Sequence, residues 1–129
     1  MSSYCAQSDI ETVYGKDNVA DWAAIDSNTS SATRIAYAIS VCSEELDDVA
    51  RCVGYAIPLQ TEAGATPTSV QHWTAVAAGL WLYESRGAQD YDQAGLPRHG
   101  HAWRRVWKDN FLERLRDGKI RLNAVMGST

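Results

Sequence analysis

The chain has 129 residues, 45% of them apolar and 22% charged, with a formal net charge of −4. That length supports one domain with its own core and is too short for two, and the balance is not that of a disordered segment. No run approaches the ~20 uninterrupted apolar residues that a membrane span requires, so no membrane role is expected.

The opening residues, Ser2 to Asp9, contain neither a basic region nor an apolar run, so no signal peptide is expected and the protein should be made in a cytoplasm. Ser8-Asp9-Ile10-Glu11 fits a capping box and predicts a short first helix closed by Gly15. Two turns do not hold themselves together in water, so Ile10, Val13 and Tyr14 must dock on something larger. Residues 16 to 31 read as an ordered but irregular connection, anchored by Trp22 and Ile25 and ending in the polar run Asp26 to Ser31.

The second helix carries the clearest signal. Ile35, Ile39, Cys42, Leu46, Val49 and Val53 recur every three or four residues as one apolar stripe, with Ser40, Glu44, Asp47 and Arg51 opposite. Ser30 or Ser31 is placed to cap its start and Gly54 to end it, a spine of about 22 residues and ~33 Å. Its acidic residues, Glu44, Glu45, Asp47 and Asp48, read as a solvated face rather than a catalytic cluster, since nothing in the sequence signals a cleft. Cys42 and Cys52 stand roughly 15 Å apart along this helix and cannot bridge each other. Cysteines here are expected to be buried or half-buried thiols.

Tyr55-Ala56-Ile57-Pro58-Leu59 follows, where Pro58 forbids a helix and pushes Ile57 toward an extended conformation. Ile57 and Leu59 should tuck the loop through Pro67 back onto the spine. Thr68-Ser69-Val70-Gln71 fits a second capping box and opens a third helix with Val70, Trp73, Ala77, Leu80 and Trp81 on its apolar face. Ala75, Ala78 and Gly79 leave room for a close neighbour. It should stop near Arg86-Gly87, ahead of a polar linker to Pro97 that includes Asp90-Tyr91-Asp92.

A fourth helix is predicted from Arg98 or Gly100 to Asp117, with Trp103, Val106, Trp107, Phe111 and Leu115 as its buried stripe and Gly118 as its stop. Arg104, Arg105 and Lys108 interleave with the aromatics. That mixture can mark single-strand nucleic-acid binding, but aromatics four residues apart share one helix face, which favours burial and turns the bases outward. Lys119-Ile120-Arg121-Leu122 alternates charged and apolar residues like a short edge strand. Residues 119–129 then form an extended tail to a single domain spanning 1–129.

No constellation for catalysis emerges. His99 and His101 lack companion ligands at metal-binding spacing, and phosphate-cradling, nucleophile-elbow and HExxH motifs are missing. Neither a metal nor another cofactor is expected, and the protein reads as a non-enzyme. Charge is unevenly spread. Residues 1–97 hold 13 acids against 4 bases, a balance of −9, while residues 98–129 hold 8 bases against 3 acids, a balance of +5. Such polarity suits subunits that meet one another through opposite charges, or a basic face for nucleic acid.

The order of several pieces resembles the head–tail connector (adaptor) proteins of Mu-like phages and prophages. They are Tyr4 to Asp9-Ile10; Tyr14-Gly15; Arg34-Ile35-Ala36-Tyr37-Ala38-Ile39 with Glu45-Leu46-Asp47 downstream; Tyr55-Ala56-Ile57-Pro58-Leu59; Thr74-Ala75 leading to Leu82-Tyr83; and Leu112 to Leu122 through Gly118. The sequence departs from that pattern at Asp26 to Ser31, where relatives carry a more acidic, glycine-containing turn, and in its Trp-rich fourth helix. The resemblance implies a mainly α, four-helix bundle with long loops and a short C-terminal strand or extended tail. It implies a structural virion protein at the head–tail interface, a twelvefold ring docked on the portal protein. Such a ring extends the channel for double-stranded DNA and meets a downstream tail or stopper protein. Tyr55, Ile57, Pro58, Leu59, Arg104, Arg105, Lys108, Lys119, Ile120, Arg121 and Leu122 are the expected partner-binding residues. The tail at Ile120 to Leu122 is a candidate for β-augmentation of a neighbour, and the Ala56–Pro67 loop for reaching an adjacent subunit. The alternative is a small DNA-binding regulator using the basic fourth helix, although some ten residues between the last two helices fit a helix-turn-helix poorly.

Overall fold

A computed structural model describes residues 3–24, 30–85 and 105–127. The expectations placed on Ile25 and on Asp26 to Thr29, on Asp90 and Asp92, on His99 and His101, and on Trp103 and Arg104 lie outside these residues. So does the predicted start of the fourth helix. The chain is mainly α, as its periodicity implies: α1 is Gln7–Tyr14, α2 Lys16–Ala23, α3 Ser31–Val53 and α4 Thr68–Ser85. Arg105–Leu112, here α5, is wound as a π-helix and runs directly into α6, Glu113–Arg116.

The spine matches its prediction closely. The Ser30 hydroxyl accepts the Thr33 N–H, satisfying one of the orphan donors of a helix start. At the other end Gly54 takes φ +102°, and a Schellman closure follows from Gly54 N–H to the Arg51 carbonyl and Tyr55 N–H to the Ala50 carbonyl. Ile35, Ile39, Cys42 and Leu46 are buried, with Val49 and Val53 half-buried against the core. The opposite face is less wet than expected, because Asp47 is only 3% exposed.

α4 is the helix on which the others converge, touching α1, α2, α3 and α5. Thr74 through Leu80 are all buried, so α4 is enclosed around most of its circumference rather than along one stripe. Trp73 and Trp81, expected on its apolar face, are half-buried against the core. Small residues explain the enclosure. A Cβ at Gly79 would collide with the edge of the Tyr14 ring, whose hydroxyl donates to the Val76 carbonyl at 2.7 Å.

Four expectations need correction. α1 begins at Gln7, not after Ser8; its cap residue Ala6 has no side-chain acceptor, and Asp9 accepts the Ala6 N–H at 2.7 Å. Residues 16–23 form α2 rather than an irregular connection. Gly15 at φ +93° breaks the chain between the two helices, and Val19 and Ala23, four apart, are buried on one side. The Thr68–Gln71 box does not form, because α4 starts at Thr68 itself and the Gln71 amide donates to Asp9 of α1 at 3.2 Å. Cys52 is exposed, whereas Cys5 and Cys42 are buried.

The C-terminal segment also differs in detail. α6 ends in a second Schellman closure, with Gly118 at φ +74° and Lys119 N–H donating to the Arg114 carbonyl at 2.8 Å. Lys119 to Leu122 do alternate in exposure, Leu122 being buried, but they form no strand. Extended pairing comes later. Ala56 N–H donates to the Val125 carbonyl (3.0 Å), Val125 N–H to the Gln60 carbonyl (2.8 Å) and Gly127 N–H to the Gly54 carbonyl (2.7 Å), around a single antiparallel bridge between Tyr55 and Met126. The tail is thus laid along the Tyr55–Gln60 segment of its own chain.

Candidate functional site

The segment after α3 and the polar side of α3 meet in a groove of about 630 Å³. One wall is α3, through Glu44, Asp47, Asp48 and Arg51; the other is Ile57, Pro58, Leu59 and Gln60. On a helix of 3.6 residues per turn, positions 44, 47, 48 and 51 share one face, which sets three carboxylates against one guanidinium. Arg51 and Asp48 form an ion pair at 3.2 Å, both well exposed, so water screens it and its contribution is small.

Tyr4 builds the floor. Its N–H donates to the Ser43 hydroxyl at 3.2 Å, its own hydroxyl donates to the Asp47 carboxylate, and that hydroxyl accepts the Leu59 N–H at 2.9 Å. Tyr4, Ser43, Asp47 and Leu59 are all buried. A carboxylate removed from water is costly unless hydrogen-bonded, and here the phenol supplies the bond while carrying the loop's backbone donor on its other side. One side chain therefore ties the N-terminal segment, α3 and the Ile57–Leu59 loop together.

The expected partner residues divide into two groups. Tyr55, Leu59 and Leu122 are buried, and Leu122 N–H donates to the Tyr55 hydroxyl at 2.8 Å, joining the loop to the tail. Those residues shape a surface from beneath. Pro58, Lys108, Lys119 and Arg121 are exposed, with Ile57 and Ile120 half-buried, so these can meet a partner directly. Arg105 starts α5. Tyr4 and the α3 acids lay outside the expected set, although Glu44, Asp47, Asp48 and Arg51 recur at helical spacing and already signalled a shared face.

The aromatics of α5 are core. Trp107 and Phe111 are buried and stacked at 5.4 Å, Phe111 stacks on Trp73 at 5.2 Å, and the Trp107 indole N–H donates to Glu45 at 3.1 Å. Beside them a recess of about 290 Å³ lies between α3, α4 and α5, with Lys108 and Glu45 in its lining. A further aromatic surface joins Arg34, whose guanidinium lies 5.3 Å from the Trp81 ring centroid, to Tyr37, which is 59% exposed and 5.5 Å from the same ring.

Two thiols and one phenol in the core are held in their neutral forms. Burial, aided by Asp9, pushes the Cys5 thiol up to about 12. Burial, then Glu45 and Cys5, pushes Cys42 up to about 12. Burial likewise raises the Tyr14 phenol far above its ordinary value. A thiol held neutral is a poor nucleophile and a poor metal ligand. Among the described residues no group of three or more His, Cys, Asp or Glu is placed to hold a metal ion, and no helix is long and apolar enough to cross a membrane.

The fold and groove define a small, mainly helical protein whose distinctive surface is a charged cleft. The family model described as Bacteriophage Mu, Gp36 matches residues 4–128, and the chain belongs to that family of Mu-like phage proteins. No curated protein and no solved structure matches it.

Proposed function

We propose that this protein is a non-enzymatic structural component of the virion, one subunit of a connector ring between head and tail. The observation that carries the reading is the phage family match over residues 4–128, nearly the whole chain. Within that reading the ring is twelvefold, docks on the portal protein, extends the channel for double-stranded DNA and offers its far side to a tail or stopper protein.

The chemistry of the chain supports a passive role. The buried thiols are held neutral, and Asp47 is consumed by an internal hydrogen bond rather than presented to a substrate. The groove has more acids than bases and the C-terminal segment more bases than acids, and unlike surfaces on one subunit are what a heterologous, ring-closing contact needs. DNA would meet such a ring through phosphate charge without base readout.

Mass analysis of purified particles tests the reading. Stoichiometric presence in mature particles, with density for a ring near the portal, is the expected result. Absence from particles, together with salt-sensitive binding of the free protein to duplex DNA, would move the assignment to a regulator acting through Lys108 and its neighbours.

A further inference from the structure

We infer that the groove between α3 and the Ile57–Leu59 loop is the docking site for the basic turn at the C-terminal end of α6 in a second copy of this chain. This inference deepens the connector reading and rests on it.

The acceptor is built from charge on a firm floor. Glu44 and Asp48 are exposed on one wall, Asp47 lies at the base, and Arg51 is the one base in the lining. Its salt bridge to Asp48 is solvent-exposed and weak, so the groove keeps an acidic surplus. The Tyr4 network holds α3 and the loop at fixed separation, and Pro58 stiffens the far wall. At about 630 Å³ the groove falls within the range that accepts a drug-sized molecule or a few side chains.

The donor is equally well held. Leu115 and Leu122 are both buried, and between them the Schellman closure at Gly118 turns the backbone back on itself. Arg114, Lys119 and Arg121 project from this hook into solvent, and among the described residues no ion pair engages them. Fixing three cations on a short, anchored turn lowers the entropy lost on docking.

Charge complementarity selects the occupant. The groove sets Glu44, Asp47 and Asp48 against Arg51, and the hook sets Arg114, Arg116, Lys119 and Arg121 against Glu113 and Asp117, so head-to-tail contact between copies brings opposite net charges together at every junction. An acidic cleft meeting a basic hook is heterologous, and repetition of one heterologous contact closes a ring where the rotation allows. The Tyr55–Gln60 segment links the two surfaces within each subunit. Its Tyr55 hydroxyl accepts the Leu122 N–H at the end of the hook, while Ile57, Pro58 and Leu59 line the groove.

Charge reversal in particles tests the contact. A phage lacking the protein is supplied in trans with Glu44→Lys/Asp48→Lys, with Arg114→Glu/Arg121→Glu, or with a chain carrying all four changes. Each two-site variant is expected to lose particle incorporation by roughly ten-fold or more, and the four-site chain to regain it. Wild-type incorporation of either two-site variant overturns the inference, as does failure of the four-site chain to recover when its thermal melt shows it folded. Wild-type particles supply a second readout that needs no variant. Carbodiimide treatment of particles carrying isotopically mixed copies is expected to form an amide between Lys119 of one copy and Glu44 or Asp48 of another. Inter-copy amides at other carboxylates but not these would leave the ring reading standing and sink the groove contact. Absence of the wild-type protein from particles would remove the connector reading itself.

Discussion

α3 and α4 lie against each other, yet they are stabilised in opposite ways. α3 is amphipathic: branched and long apolar residues fill one face, and its exposed positions run from Ala32, Thr33, Ala36 and Tyr37 to the charged Glu44, Asp48 and Arg51. α4 is enclosed on nearly all sides and achieves this with alanines and a glycine, so that neighbouring elements come close to its backbone. A helix of the first kind tolerates change over half its circumference. One of the second kind tolerates almost none, because interiors are close-packed and an added methylene has nowhere to go.

The sharpest break in that comparison is at Gly79. Gly79→Ala should cost about 2–3 kcal/mol in chemical denaturation despite the better helix propensity of alanine, since its Cβ displaces the Tyr14 ring. Most of the cost should vanish in a Tyr14→Ala background; an additive pair would show that the collision is not the cause.

On α3 the corresponding weak point is the buried bond between the Tyr4 hydroxyl and the Asp47 carboxylate. Tyr4→Phe leaves the Asp47 carboxylate and the Leu59 N–H without their partner and should cost about 1.5–3 kcal/mol. Glu44→Ala, one turn away on the exposed side, should stay within about 0.5 kcal/mol. Equal effects from the two would erase the distinction between the floor and the rim of the groove.

Cap and orphan hydroxyl form a smaller pair. Ser30→Ala removes the α3 cap and should destabilise by about 1 kcal/mol, against a few tenths for Ser30→Gly. Thr74 on α4 is fully buried and its hydroxyl has no hydrogen-bond partner among the described residues, so Thr74→Val should be neutral or mildly stabilising, by up to about 1 kcal/mol. A marked loss of stability in that variant would point to a partner that the hydroxyl does have.

The smallest effect at neutral pH concerns the thiols. Cys52 should react at once with a chromogenic disulfide at pH 8, and Cys5 and Cys42 only on unfolding. Both buried thiols have folded pKa values raised from 9.0 to about 12, so the folded state holds protons that the unfolded state has released. Their contribution to stability is therefore complete below pH 9 and lost as pH climbs toward 12. Denaturation midpoints measured across that window should fall, and less steeply in Cys5→Ala/Cys42→Ala.

Much of the fold follows from local rules acting on short stretches. The stripe Ile35 to Val53, the serine before it and the glycine after it specify α3 within a residue at each end, because period and caps are properties of contiguous sequence. The burial of Trp107, Phe111 and Leu115 follows from the same reasoning. So does the alternating exposure of Lys119 to Leu122, even though these residues find no strand partner.

Contacts between distant residues decided the remainder. Asp47 reads as one more surface acid until Tyr4, forty-three positions earlier, covers it. α2 carries too few apolar residues to announce itself, and only the neighbours that bury Val19 and Ala23 make it a helix worth forming. The groove arises in the same way. Its acids and its Ile57-Pro58-Leu59 wall are each visible as local pattern, but their approach depends on a phenol bridging two segments, and no periodicity encodes which tyrosine will do it. Local sequence specifies the helices and their apolar faces because hydrogen bonding and side-chain period act over a few residues. Which polar groups are buried, and which surfaces are brought together, is settled only when the whole chain closes around α4.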